Sequence, residues 1–302
     1  YGNDAVSQFA QDSLVYLAGE DAYLKENCTK SNELFSSYLK SFPNGLFSIN
    51  ALFFRADCFM KAQQIDSAYN CYEQIAQKPK NKYTEASLFN LSLIKFNKAD
   101  YKKSLEYYTS LEAVAEYQSN IIEARKGQLL CNDKLKDSVA TINSARKLLS
   151  TEKLPDELKR LANYEIAGVY NQQNKLDSAL ELYITLSQDV KSVEGAESKF
   201  RVAEILFKKG NYDESEKEIL DFLDKNSPQQ YWLARSYMLW AEIFVVRKDF
   251  FQGKHTLQSI IDNYPNKTDG ILEMAQQKLD KFNAMDAPAP VEQDKADEVQ
   301  MK

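Results

Sequence analysis

A small side chain recurs along this sequence at a nearly constant period. Ser31, Ala68, Ser104, Val139, Ala179, Ser215 and Gly253 follow one another at separations of 37, 36, 35, 40, 36 and 38 residues. Twelve positions before each of these markers stands another small or flexible residue: Gly19, Ala56, Ser92, Gly127, Ala167, Ala203 and Ala241. A large side chain follows the marker by four positions in most copies, as Tyr72, Tyr108, Tyr183 and Ile219 do. Two antiparallel helices that cross closely need small groups where they touch and large ones beside them. Seven such copies therefore predict seven helix pairs, each too small to bury its own apolar face and so obliged to stack on its neighbours.

Proline marks the same period independently. Pro43, Pro79, Pro155, Pro228 and Pro265 lie 11 to 16 residues past the preceding marker, where the second helix of each pair has to stop. The chain holds only 9 Gly and 7 Pro in 302 residues. With so few turn-formers, the expectation is an all-α protein rather than a sandwich, a barrel or a glycine-rich nucleotide-binding fold.

Charge and chemistry exclude several functions. With 38 Lys+Arg against 44 Asp+Glu, the net charge is −6, which speaks against phosphate neutralisation and so against nucleic acid as a partner. No run of about 18 apolar residues is present, so no transmembrane segment is expected. The chain begins at Tyr1 rather than Met, as a processed product or an excised piece would. The four cysteines, Cys28, Cys58, Cys71 and Cys131, form no CxxC pair and read as buried thiols, with a Cys58–Cys71 bridge as the alternative. The only histidine, His255, reads as a solvated residue on the outer side of the last unit. Neither a Ser-His-Asp spacing, an HExxH, a P-loop nor a GxGxxG occurs. No catalytic residue, metal or cofactor is therefore expected, and the chain reads as a non-enzyme.

The joint pattern of small residues, aromatics and proline resembles the tetratricopeptide repeat (TPR) family, whose unit carries small residues at positions 8 and 20, aromatics near 11 and 24 and Pro at 32. The resemblance covers residues 9–267. The strings Tyr38-Leu39-Lys40-Ser41-Phe42-Pro43-Asn44-Gly45 and Asp262-Asn263-Tyr264-Pro265-Asn266 also resemble repeats of bacterial cell-envelope proteins such as the Tol-Pal coordinator and the outer-membrane assembly lipoproteins. The family implies a right-handed α-solenoid of about seven helix pairs over 1–267. An amphipathic stretch over 268–284, with Ile271, Leu272, Met274, Ala275, Leu279 and Phe282, reads as a capping helix, and 285–302 as a disordered acidic tail. The envelope resemblance favours a bacterial periplasm or cell envelope over the cytoplasm. The oligomeric state stays open.

The family also implies where a partner would bind. Its ligands touch positions 2, 5, 9, 12 and 13 of the first helix of each unit. Position 5 falls here on Tyr16, Phe53, Phe89, Ala124, Tyr164, Phe200 and Met238. Position 12 gives Tyr23, Met60, Phe96 and Phe207, and position 9 gives Glu20, Asp57, Glu204 and Glu242. The implied function is a protein–protein interaction scaffold whose concave, aromatic-lined groove with acidic points takes an apolar or basic peptide. A second reading has the same trough hold a glycan or another small molecule. A stripe of rings at helical spacing also serves as core packing, and full burial would place the site elsewhere. The carboxylate clamp of chaperone-binding members, with Lys at position 5 and Asn at position 9, is not met.

Overall fold

The computed structural model describes residues 2–287, and every regular element among them is an α-helix, fifteen in all. The chain divides into two compact units, residues 1–169 and 170–302, each taken by itself below. The first holds α1 (Gly2–Leu24), α2 (Cys28–Ser41), α3 (Ser48–Lys61), α4 (Ile65–Ala76), α5 (Thr84–Asn97), α6 (Tyr101–Val114), α7 (Gln118–Lys134) and α8 (Ser138–Leu149), and α9 (Asp156–Gln172) runs across the boundary. The second holds α10 (Leu176–Leu186), α11 (Val193–Lys208), α12 (Tyr212–Asp224), α13 (Gln230–Val246), α14 (Phe250–Asn263) and α15 (Ile271–Asp286).

Within each unit the packing is that of stacked pairs. In the first, α1 packs on α2, α3 on α4, α5 on α6 and α7 on α8. Helix α2 also meets α3, α4 meets α5 and α6 meets α7, and α1 lies beside α3 and α5 beside α7. In the second, α11 pairs with α12 and α13 with α14, while α11 lies beside α13 and α13 beside α15. In these places first helices lie side by side, the translational order of an α-solenoid. Helix α15 closes the last pair, burying Ile271, Ala275, Leu279 and Phe282 against Met238, Ala241 and Leu257. It continues to Asp286, and the expected acidic tail beyond 287 lies outside the described residues. Among the described residues no helix is long and apolar enough to cross a membrane.

The turn inside each pair explains why the period is so regular. Glu26, Gln63, Ala99, Lys136, Asn174, Gly210 and Lys248 all have positive φ, between 56° and 82°. Each stands one residue before the N-cap of a second helix and five before the residue that faces the first helix. A single left-handed residue reverses the chain, and the cap sets the rotation of the next helix. This geometry corrects the marker in the fourth copy. Asp137 caps α8 by accepting from the Ala140 N–H at 3.0 Å, so Thr141, four residues on, turns inward and is 1% exposed. Val139 instead is 69% exposed. With Thr141 in place, the separations on either side become 37 and 38 residues.

The paired small residues do meet. Ser31 Oγ donates to the Gly19 carbonyl at 3.1 Å, and Ser215 Oγ to that of Ala203 at 2.8 Å. The fourth copy differs: the residue twelve before Thr141 is Leu129, and Gly127 instead faces the preceding pair, where an added Cβ would sit 2.3 Å from the Tyr108 ring of α6.

Cysteine usage differs from the expectation. Cys28 and Cys58 form a disulfide with Cα atoms 5.1 Å apart, while Cys71 and Cys131 remain buried thiols whose burial pushes their pKa up. The alternative pairing Cys58–Cys71 does not occur. Cys28 opens α2 and Cys58 lies in the last turn of α3, and adjacent antiparallel helices bring those two ends together.

Candidate functional site

In the first unit the expected groove residues form short local clusters on the first helices. Tyr16 is 2% exposed, its ring stacked on Phe47 at 4.4 Å and its hydroxyl donating to Glu20 at 2.6 Å. Asn50, 34 residues on, donates to that hydroxyl at 3.3 Å. Tyr23 stacks on Phe54 at 4.4 Å and donates to Asp57 at 2.8 Å, and Lys61 pairs with Asp57 at 2.8 Å. Phe53 stacks on Tyr83 at 4.1 Å, Phe89 borders the same apolar cluster, and Phe96 meets Tyr101 edge-on at 5.3 Å. Phe53, Phe89, Phe96, Tyr23 and Tyr164, the last on α9, are half-buried. These rings fill the seams between helices and leave only part of each surface to solvent.

In the second unit five of the expected residues converge, Phe207 of α11 among them. Phe200 and Glu204 from α11 and Met238 and Glu242 from α13 line one cleft of about 170 Å³, together with Arg235 of α13 and Lys278 of α15. Phe200 and Met238 are nearly covered, at 3% and 1% exposed. The polar rim is therefore what a partner would meet.

The acidic points of that rim are not free. Arg201 bonds Glu204 at 2.9 Å and Lys208 pairs with it at 3.3 Å, while Lys278 bonds Glu242. Burial raises the Glu204 pKa, but the Arg201 guanidinium and the Lys208 ammonium outweigh it and hold the carboxyl below its ordinary value. Arg235 is the exception in the opposite sense. Its guanidinium lies 4.9 Å over the Phe200 ring and donates to the Tyr231 hydroxyl at 3.3 Å, with no carboxylate paired to it among the described residues. The aromatic face orients the cation while leaving its outer donors unspent.

Sequence reasoning missed Arg235 and the basic partners of Glu204 and Glu242. Arg235 occupies position 2 of its unit, one of the groove positions, so the repeat register alone could have named it.

Residues 230–267 match the family model described as a tetratricopeptide repeat. Among solved structures, a Signal Transduction ATPase with Numerous Domains carrying a tetratricopeptide repeat sensor, from Pyrococcus horikoshii, aligns with TM-score 0.58 and 9% identity, covering 91% of this chain and 44% of that one. A tetratricopeptide repeat protein from Parabacteroides merdae aligns with TM-score 0.47 and 14% identity over 90% of this chain and 98% of that one. The TPR2AB-domain:pHSP90 complex of yeast Sti1 aligns with TM-score 0.38 and 14% identity over 91% and 98%. At 9% identity, the alignment with TM-score 0.58 speaks to fold alone. No curated protein sequence matches the chain.

Proposed function

We propose that this chain, which has the tetratricopeptide-repeat fold and carries such a repeat at residues 230–267, is a non-enzymatic interaction scaffold that takes a peptide or partner protein on the face made by its first helices. The observation that carries the reading is the cleft between α11, α13 and α15, where Phe200, Glu204, Met238 and Glu242 come together around Arg235. A guanidinium held over a ring and lacking a carboxylate partner favours a segment that brings its own acidic group. Because Glu204 and Glu242 are neutralised within the protein, a basic segment gains little there.

The reading is tested by selecting binding peptides from a random library displayed on phage and measuring them against Arg235→Ala. Selected peptides rich in acidic residues, whose binding falls about tenfold or more with Arg235→Ala, support it. Peptides that bind the variant equally well discard the cleft.

We further infer an oxidising location, such as a bacterial periplasm or cell envelope, rather than the cytoplasm. The Cys28–Cys58 bridge supports this, since structural disulfides persist chiefly in oxidising compartments.

A further inference from the structure

A second cleft in the 170–302 unit lies apart from the partner face, between α12 and α14 and over α13, and measures about 450 Å³. A counterpart of about 370 Å³ lies in the first unit, between α4 and α6 over α5. The two are equivalent by register. Leu88 and Tyr237 each precede the small residue of their first helix by four, and Ser110 and Ser259 each follow the marker of the second helix by six. Stacking of pairs thus leaves a gap between successive second helices, and its chemistry is set by the residues placed there.

Those residues differ sharply. The first-unit gap is lined by Glu73, Lys78, Lys80 and Lys103. The second-unit gap has no Asp, Glu, Lys or Arg in its lining, although 27% of the chain is charged. In their place stand the rings of Tyr237, Trp240 and Tyr264, with Gln230, Ser259 and Asn263 along the edges. Tyr237 is 38% exposed, and neither its hydroxyl nor that of Ser259 is hydrogen-bonded among the described residues. Trp240 is fixed in place, its Nε1 donating to Glu216 at 2.7 Å.

We propose that this cleft binds a neutral carbohydrate. Aromatic faces cover the apolar C–H surface of a sugar ring. Amides and hydroxyls both donate and accept, as sugar hydroxyls do. With no carboxylate, ammonium or guanidinium in the lining, and the exposed His255 imidazole as its one ionisable nitrogen group, the cleft spares a neutral ligand the desolvation of ion pairs. The volume suits a few pyranose rings and lies within the range of small-ligand sites. The site is independent of the partner face, which lies among α11, α13 and α15.

The chain has two tryptophans, so Trp232→Phe leaves Trp240 as the sole reporter in the cleft. The probes are linear neutral hexasaccharides of glucose, mannose and N-acetylglucosamine, titrated separately while Trp240 emission is followed. The expected result is a saturable change with at least one hexasaccharide, weakened about tenfold or more by Tyr237→Ala and abolished by Ser259→Phe, which fills the cleft without adding a second tryptophan. Circular dichroism melts identify any variant that fails to fold, and Ser259 is exposed, so its replacement leaves the core intact. Lys103→Ala, in the equivalent gap, should leave binding unchanged. The proposal is overturned if no hexasaccharide changes the emission, if the change survives both cleft variants, or if only dodecanoate or an amphipathic helical peptide occupies the cleft.

Discussion

Ser104 donates its hydroxyl proton to the backbone carbonyl of Ser92, twelve residues earlier, at 2.8 Å, with both side chains completely buried. That bond is the contact point of α5 and α6. Ser104→Ala keeps the small volume but loses the bond to Ser92 and the weak one accepted from Cys131 Sγ at 3.4 Å, so it should cost about 1 kcal/mol. Ser104→Leu drives a larger group into the crossing and should cost several times more, roughly 3 kcal/mol or beyond. Urea unfolding followed by circular dichroism separates the two, and equal midpoints would refute a tight crossing.

The left-handed turn at Ala99 has φ 58°, a conformation that costs an L-residue energy and glycine none. Ala99→Gly should therefore stabilise the chain by about 0.5 kcal/mol, the relief of strain exceeding the added freedom of the unfolded state. A lowered urea midpoint would contradict this.

Glu204 sets an acid limit. Its folded pKa lies below the ordinary 4.5 because Arg201 and Lys208 outweigh burial. A carboxyl depressed in the folded state adds stability above its unfolded pKa and loses it as pH falls through the folded value. Between about pH 5 and pH 3 the parent protein should lose more stability than Glu204→Gln, which has no such proton to take up. Parallel pH profiles for the two proteins would count against the assignment.

Lys199 is 5% exposed and bonds Glu218 and Asp221 across the α11–α12 pair. Burial favours its neutral form, but the two carboxylates outweigh that and raise its pKa. Lys199→Ala should cost about 2 kcal/mol, short of a wholly buried pair because both carboxylates reach water. Thermal melts at neutral pH read the loss, and an unchanged midpoint would mean the triad is solvent-screened.

Without reductant, denatured protein should expose two thiols to alkylation, those of Cys71 and Cys131, and four after reduction. Reduction should cost about 2–4 kcal/mol. Mass spectrometry of the alkylated protein counts the thiols, and four in the unreduced sample would sink the bridge.

The sequence made the helix pairs legible because small residues at crossings repeat at a fixed offset, and Ser31, Ser104 and Ser215 meet their partners as the period requires. Val139 fits the period by residue type, but helix rotation decides which residue faces inward. The cap at Asp137 turns Thr141 inward, and a threonine hydroxyl satisfied by the Asp137 carbonyl is tolerated there. Burial of Tyr16, Phe200 and Met238 was not legible, since a period names the face of a helix but not the depth of the groove above it. Nor was the neutralising of Glu242, which depends on Lys278 arriving from a helix 36 residues on. Cys28 and Cys58, 30 residues apart with no motif between them, meet only once α2 and α3 are antiparallel.

The same bridge changes how such a ribbon comes apart. A stack held by nearest neighbours unravels from whichever end is weakest, one pair after another. With α2 sewn to α3 by a covalent stitch, unravelling that starts at α1 meets a stop at α2, which cannot leave α3 until the bridge is cut.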